Sequence, residues 1–191
     1  MTDERDAIER LVRHLERLEI PYMVAGSVAS SHHGRPRATN DADVVIDPTP
    51  QALDQLVTAL ATDSYYVDPQ VARRALAARR LFNVIDPETA FKIDLIVRKE
   101  RPFSREEFAR RVRRDVGGLS VQLATAEDTI LAKLEWARKA DGSERQLDDV
   151  AGILQISGAR LDRAYIEKWA ESLGVADLWQ EIVRESGPPR P

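Results

Sequence analysis

The stretch AGSVASSHHGRPRATNDADVVID, residues 25–47, decides the fold of the N-terminal half. A short apolar run ends just before Gly26, and the pattern predicts a buried strand, a turn and a short helix with Ser27 as its N-cap. A second strand is predicted to begin at Asp41. Because the side chains of a strand alternate between its two faces, Asp41 and Asp43 point the same way. The sequence therefore predicts two carboxylates on one face of a strand, shortly after a helix start.

A third carboxylate stands in a similar setting further along the chain. The segment FKIDLIV, residues 91–97, predicts a strand with Asp94 between two apolar neighbours. If this strand lies beside the strand of Asp41 and Asp43, three carboxylates converge. Carboxylates that lie close together repel each other, which makes it unfavourable to ionise all of them. A Mg²⁺ ion, which prefers oxygen ligands, would offset this repulsion. Such a set suits two-metal phosphoryl transfer, whereas the alternative is a solvated strand end.

Composition excludes several classes of protein. The chain has 191 residues, 43% of them hydrophobic, which predicts a globular domain with or without a helical appendage. The net charge of −4 provides no general basic field for nucleic acid. The absence of cysteine excludes disulfides, cysteine-bound zinc and a catalytic thiol. The charged N-terminus is not a signal peptide and no apolar run could cross a membrane, so we expect a cytoplasmic protein without a membrane partner.

The order of predicted elements indicates an α+β fold. Residues 1–124 are expected to form an α/β core, a small mixed sheet flanked by helices. Residues 104–114 within it are predicted to form a basic helix. Residues 125–186 are expected to form a helical region packed on this core, opened by the capping-box pattern of Thr125. Residues 187–191 are predicted to be a disordered tail.

Taken together, these motifs resemble the nucleotidyltransferase superfamily, the fold family of DNA polymerase beta. The family pattern is a Gly-Ser or Gly-Gly pair, a short helix, two aspartates on the next strand and a third acidic residue on a later one. The matching residues here are Gly26, Ser27, Asp41, Asp43 and Asp94. The resemblance implies that the three aspartates are catalytic and bind two Mg²⁺ ions. It also implies that the Gly-Ser pair binds the phosphates of a nucleoside triphosphate.

The second half of the chain resembles one branch of that superfamily. The segment ATAEDTILAKLEWARKADGSERQLDDVAGIL, residues 124–154, looks like the helical region of AbiEii-type nucleotidyltransferases, the toxins of some toxin–antitoxin pairs. The matching residues are Lys133, Arg145 and Asp149, and the resemblance implies nucleotide-binding roles for all three, a catalytic role for Lys133 and an antitoxin partner. From the residues alone, Lys133 could reach a triphosphate or snorkel on a solvated face. Asp149 could orient Lys133 or Arg145, or form a plain ion pair.

The loop after the short helix adds a further cation. Arg37, like Arg35, lies between Ser27 and Asp41, where it could contact phosphates if the loop folds over the site. We therefore include Arg37 among the predicted nucleotide-binding residues. The alternative is that Arg37 is a surface arginine without a functional role.

Three functions are consistent with these features. The first is a Mg²⁺-dependent enzyme that moves a nucleoside monophosphate from a nucleoside triphosphate to an acceptor hydroxyl. The second is a toxin that performs the same chemistry on tRNA 3′ ends, with the basic helix of residues 105–114 as its docking face. The third is a non-catalytic nucleotide-sensing or interaction module. The acceptor could be RNA, protein or a small molecule, and the sequence does not name it.

Overall fold

The computed structural model describes residues 2–39, 41–140 and 143–186. The predicted tail, residues 187–191, lies outside the described residues. The chain groups into two compact units. The first contains residues up to 25 together with 39–123, and the second contains residues 26–38 together with those from 124 onward. The short helix that follows the first strand is thus part of the same unit as the C-terminal helices.

The first unit is built on a mixed β-sheet, which confirms the predicted fold class. The strands are β1 (Tyr22–Val24), β2 (Asp41–Ile46), β3 (Leu81–Ile85), β4 (Lys92–Val97), β5 (Val112–Val116) and β6 (Leu119–Leu123). Their order in the sheet is β3-β4-β2-β1-β6-β5. The pairs β2–β4 and β1–β6 are parallel, and the other three neighbouring pairs are antiparallel.

The helices of this unit begin where local chemistry favours a start. The side chain of Thr49 accepts a hydrogen bond from the Ala52 amide, and Pro50 occupies the first turn, where its missing N–H costs nothing. Asp68 and Pro69 repeat this arrangement one helix later. The helices of the unit are α1 (Thr2–Arg17), α3 (Pro50–Thr62), α4 (Pro69–Ala78) and α5 (Pro102–Ala109).

The prediction of one basic helix over residues 104–114 is wrong. Helix α5 ends at Ala109, and strand β5 begins at Val112. The reason lies in the turn that follows, where Gly117 and Gly118 have φ angles of +60° and +84°. Glycine reaches such angles without steric cost, so the pair closes a hairpin and β5 pairs with β6.

Strand β5 lies at an edge of the sheet, and its exposed residues are charged. Arg113 and Arg114 are both exposed, and a guanidinium nitrogen of Arg113 lies 3.1 Å from a carboxylate oxygen of Glu16. Charged side chains on an edge strand oppose pairing with another chain. These arginines therefore belong to a protected sheet edge, and no continuous helical docking face exists over residues 105–114.

All regular structure among the described residues of the second unit is helical. The predicted helix start at Thr125 is confirmed, since its hydroxyl accepts a hydrogen bond from the Asp128 amide. The buried carboxylate of Asp128 accepts hydrogen bonds of 2.6 Å from the hydroxyls of Thr125 and Tyr165. The helices are α2 (Gly26–His33), α6 (Ala126–Lys139), α7 (Glu144–Ser157), α8 (Arg163–Leu173) and α9 (Ala176–Ser186), with a 3₁₀ turn at Gly158–Arg160.

The loop after α2 passes very close to α7. A Cβ atom added to Gly34 would lie 2.7 Å from the backbone nitrogen of Ile153 and 2.8 Å from the carbonyl carbon of Gly152. These neighbours are backbone atoms of a helix, so they cannot rotate away as a side chain could. The contact holds the start of the loop, and therefore Arg37 three residues later, against α7.

Gly34→Ala is expected to destabilise the second unit by about 2 kcal/mol, because the new methyl group overlaps the α7 backbone. All three tryptophans of the chain belong to this unit, so urea unfolding followed by tryptophan fluorescence reports on it directly. Gly152→Ala is the matched comparison, because its Cβ would meet its nearest atom at 3.3 Å and alanine favours a helix interior. Equal stability of the Gly34→Ala protein and the wild type would contradict this packing argument.

Among the described residues, no helix is both long enough and apolar enough to cross a bilayer.

Candidate functional site

The predicted strand neighbours are adjacent in the first unit. Strands β2 and β4 run parallel, with Asp43 opposite Asp94 and Asp41 opposite Lys92. Alternate residues of both strands are buried, and these four polar residues occupy the half-buried positions between them. Because residues opposite each other in a sheet share a face, the three carboxylates and the lysine lie on one face of the sheet.

The carboxylates of Asp94 and Asp41 accept hydrogen bonds from protein donors. The Lys92 ammonium lies 3.0 Å from one carboxylate oxygen of Asp94, and the side-chain amide of Asn83 donates to the other. The hydroxyl of Thr39 donates to the Asp41 carboxylate at 2.7 Å. The acidic face is therefore a hydrogen-bonded network with its own resident cation.

The acidic face has the donor chemistry of a magnesium site, with carboxylate oxygens on neighbouring strands. Among the residues that the structure describes, however, no three acidic or histidine side chains are grouped so that they could hold a metal ion. The three carboxylates lie on one face of two neighbouring strands, but in this arrangement they do not form a group that could hold a metal ion. The physical reason is visible at Asp94, whose two oxygens are directed to Lys92 and Asn83.

Lys92 experiences the charge of the whole acidic face. The hydrogen bond to Asp94 raises the pKa of Lys92, and the negative charges of Asp94, Asp41 and Asp43 raise it further against the opposing effect of burial. The lysine is therefore firmly protonated, and its ammonium compensates the repulsion between the carboxylates.

In the second unit, four polar side chains are grouped around Asp149. Arg37 binds the Asp149 carboxylate with two nitrogens, at 2.9 and 3.1 Å, and also donates to the Ser27 hydroxyl at 2.9 Å. The Lys133 ammonium donates to Asp149 at 2.6 Å and to the side chain of Gln146 at 3.0 Å. We call Ser27, Arg37, Lys133, Gln146 and Asp149 the Asp149 cluster.

The central pair of the Asp149 cluster is buried. The side chains of Lys133 and Asp149 are 6% and 7% exposed, whereas that of Arg37 is 25% exposed. The interpretation of Lys133 as a snorkelling residue on a solvated face is therefore wrong. Buried charges remain ionised only when they are paired and hydrogen-bonded, which this geometry achieves with two cations on one carboxylate.

Arg37 pairs with the Asp149 carboxylate, as Lys133 does. Arg145 is not part of the Asp149 cluster. Arg145 is exposed, on the same helix as Asp149. Arg37 and Asp149 are 112 residues apart, so no local pattern links them. Gln146 was also missed by sequence analysis, although its position three residues before Asp149 places both on one side of α7.

The Gly-Ser pair differs in detail from the prediction. Helix α2 begins at Gly26 itself, where φ is +56°, a value that glycine adopts without strain. Ser27 consequently lies inside the first turn and is not the N-cap. Its hydroxyl is nearly buried and accepts the hydrogen bond of Arg37, which joins the start of α2 to the Asp149 cluster.

The Asp149 cluster predicts a loss of stability in acid. Burial by itself raises the pKa of Asp149, but the hydrogen bonds from Arg37 and Lys133 outweigh it and hold the pKa below its ordinary value. A carboxyl group with a lowered pKa stabilises the folded state above its unfolded pKa, about 3.9, and this contribution is lost as the pH falls further.

We therefore expect the unfolding free energy of the second unit to fall as the pH drops below about 4, and to fall less steeply in Asp149→Asn. Tryptophan fluorescence during urea unfolding at a series of pH values measures this slope. Asp148→Asn is the control, because Asp148 is the exposed neighbour of Asp149 on the same helix. Parallel slopes for wild type and Asp149→Asn would contradict the assignment.

Comparison with known proteins places the fold among those of nucleotidyltransferases. No family model and no curated protein matches the chain. The solution structure of the antibiotic-resistance factor ANT(2″)-Ia has a TM-score of 0.61 at 12% identity, covering 94% of this chain and 98% of that one. The crystal structure of ANT(2″)-Ia in complex with adenylyl-2″-tobramycin has a TM-score of 0.61 at 14% identity, covering 91% and 97%.

A third structure agrees with these two. The antigenic nucleotidyltransferase-like protein from Paracoccidioides brasiliensis has a TM-score of 0.55 at 22% identity, covering 80% of this chain and 76% of that one. At these identities the likeness is one of fold.

Proposed function

We propose that this chain is a Mg²⁺-dependent nucleotidyltransferase that moves a nucleoside monophosphate from a nucleoside triphosphate to an acceptor hydroxyl. The observation that carries the proposal is the register of β2 and β4, which sets Asp43 opposite Asp94 with Asp41 on the same face. A nucleotidyltransferase fold with carboxylates on neighbouring strands suits metal-assisted phosphoryl transfer better than it suits a surface without function.

The chemistry is a displacement at the α-phosphorus. A bond forms between the acceptor oxygen and the α-phosphorus, the bond to the oxygen bridging to the β-phosphorus breaks, and pyrophosphate leaves with that electron pair. Asp41, Asp43 and Asp94 would hold two Mg²⁺ ions, and Asp94 would also take the proton of the acceptor hydroxyl. When bound, the ions would activate the acceptor oxygen and offset the charge of the leaving pyrophosphate.

We assign triphosphate binding to the Asp149 cluster and to the start of α2. The cluster carries two cations against one carboxylate, so its net charge favours an anion. Lys133 and Arg37 would contact the phosphates, with Asp149 as the residue that positions both. Gly26 and Ser27 would supply backbone amides at a helix start. Arg145, an exposed cation on α7, would add a further phosphate contact.

The acceptor is assigned by class only. The chain shares its fold with ANT(2″)-Ia, which has been crystallised with adenylyl-2″-tobramycin, and this favours a small molecule. The AbiEii-type resemblance of residues 124–154 favours RNA, with tRNA 3′ ends as the acceptor and an antitoxin as partner. The two versions share the metal chemistry and differ only in what accepts the nucleotide.

A transfer screen tests the proposal. Purified protein with Mg²⁺ and each α-labelled triphosphate would be offered aminoglycosides, total tRNA and cell lysate, beside an Asp41→Asn/Asp43→Asn variant. We expect label in one acceptor class with the wild type only. Equal labelling by the variant would refute the metal site. Triphosphate binding without transfer to any acceptor would favour a nucleotide-sensing module instead.

A further inference from the structure

Lys92 stands beside all three carboxylates of the acidic face. It is the cross-strand partner of Asp41 and lies two residues before Asp94, which in turn is opposite Asp43. Residues directly opposite in a sheet have Cβ atoms about 5 Å apart, and diagonal neighbours remain within reach of a long side chain. The ammonium of Lys92 therefore lies among the carboxylates and pairs with Asp94 at 3.0 Å.

The Lys92–Asp94 contact opposes a metal ion in two ways. It occupies a carboxylate oxygen of Asp94, while Asn83 occupies the other. It also places a positive charge where a divalent cation would gain its electrostatic stabilisation. The Lys92 side chain is 41% exposed, whereas that of Asp94 is 16% exposed, so the lysine can turn into solvent while the carboxylate stays in place. Its flexible four-carbon stem makes that movement inexpensive.

We propose that Lys92 is a built-in counter-ion of the acidic face, which a divalent cation must displace to reach Asp94. This inference rests on the proposed function, because it takes Asp41, Asp43 and Asp94 as metal ligands. Lys92 is a positioning residue here. It holds Asp94 and prevents mutual repulsion of the carboxylates without metal, and it lowers their affinity for the free ion.

Direct metal binding tests the inference without an activity assay. The full chain, free of nucleotide, would be titrated with Mn²⁺ while the free ion is measured by electron paramagnetic resonance. Removing one unit charge beside the site in Lys92→Met is expected to tighten the Mn²⁺ dissociation constant roughly tenfold. Lys92→Arg keeps the charge and should stay close to wild type. Circular dichroism confirms that each variant is folded.

Two further proteins separate the possible outcomes. Lys99→Met removes the same charge from an exposed position seven residues further along and should not change the dissociation constant. Asp41→Asn/Asp43→Asn should lose Mn²⁺ binding. If it binds as the wild type does, the metal site and the proposed function both fail. If it loses binding while Lys92→Met binds no more tightly than wild type, the counter-ion role of Lys92 is refuted and the proposed function stands.

Discussion

Asp43→Asn is expected to lower the rate of nucleotidyl transfer roughly a thousandfold while leaving the fold intact. Asp43 lies opposite Asp94 in the parallel pair of strands and is half-buried on the acidic face. Asparagine has nearly the same shape, so β2 and its packing should be retained. It carries no charge, and a neutral amide is a far weaker magnesium ligand than a carboxylate.

The measurement is initial transfer rate on the acceptor that the screen identifies, together with Mn²⁺ binding. Asp6→Asn provides the matched control, because it makes the same substitution at an exposed position of α1. It should transfer at the wild-type rate. An Asp43→Asn protein that is folded and retains most of its transfer rate would remove the acidic face from the mechanism.

Asp149→Ala is expected to destabilise the second unit by about 3–5 kcal/mol, because it removes the carboxylate that pairs with a buried ammonium. The Lys133 side chain is only 6% exposed and would keep Gln146 as a neutral partner. Arg37 would also lose its bidentate carboxylate, although its greater exposure allows it to reach water. The loss appears as a lower urea midpoint in tryptophan fluorescence.

Two variants show whether the broken ion pair causes this loss of stability. Asp148→Ala removes an exposed carboxylate one residue away and should change stability by less than about 0.5 kcal/mol. Lys133→Met combined with Asp149→Leu removes both buried charges and should recover most of the stability, since apolar replacement of a buried pair is often neutral. Equal losses in the single and double variants would point to packing and not to charge.

The local patterns of the sequence predicted the elements that carry the acidic face. A strand was predicted over Asp41–Ile46 and another around Asp94, and both form, as β2 and β4. Both predictions succeeded because one face of each strand is buried, so that the polar residues at the start of each strand alternate with apolar ones. The prediction of a helix failed at residues 104–114. Arginines suit a solvated helix and a sheet edge equally well, and the turn at Gly117 and Gly118 determines that a strand forms.

By itself, then, the sequence determined the mixed α+β class, the helical second half, and the shared face of Asp41 and Asp43. These follow from periodicity and turn chemistry, which act over a few residues. Only the tertiary structure decided that Lys92 lies opposite Asp41 and that Arg37, rather than Arg145, joins Lys133 on Asp149. Those contacts depend on strand register and helix packing between distant segments, for which the neighbouring residues in the chain contain no signal.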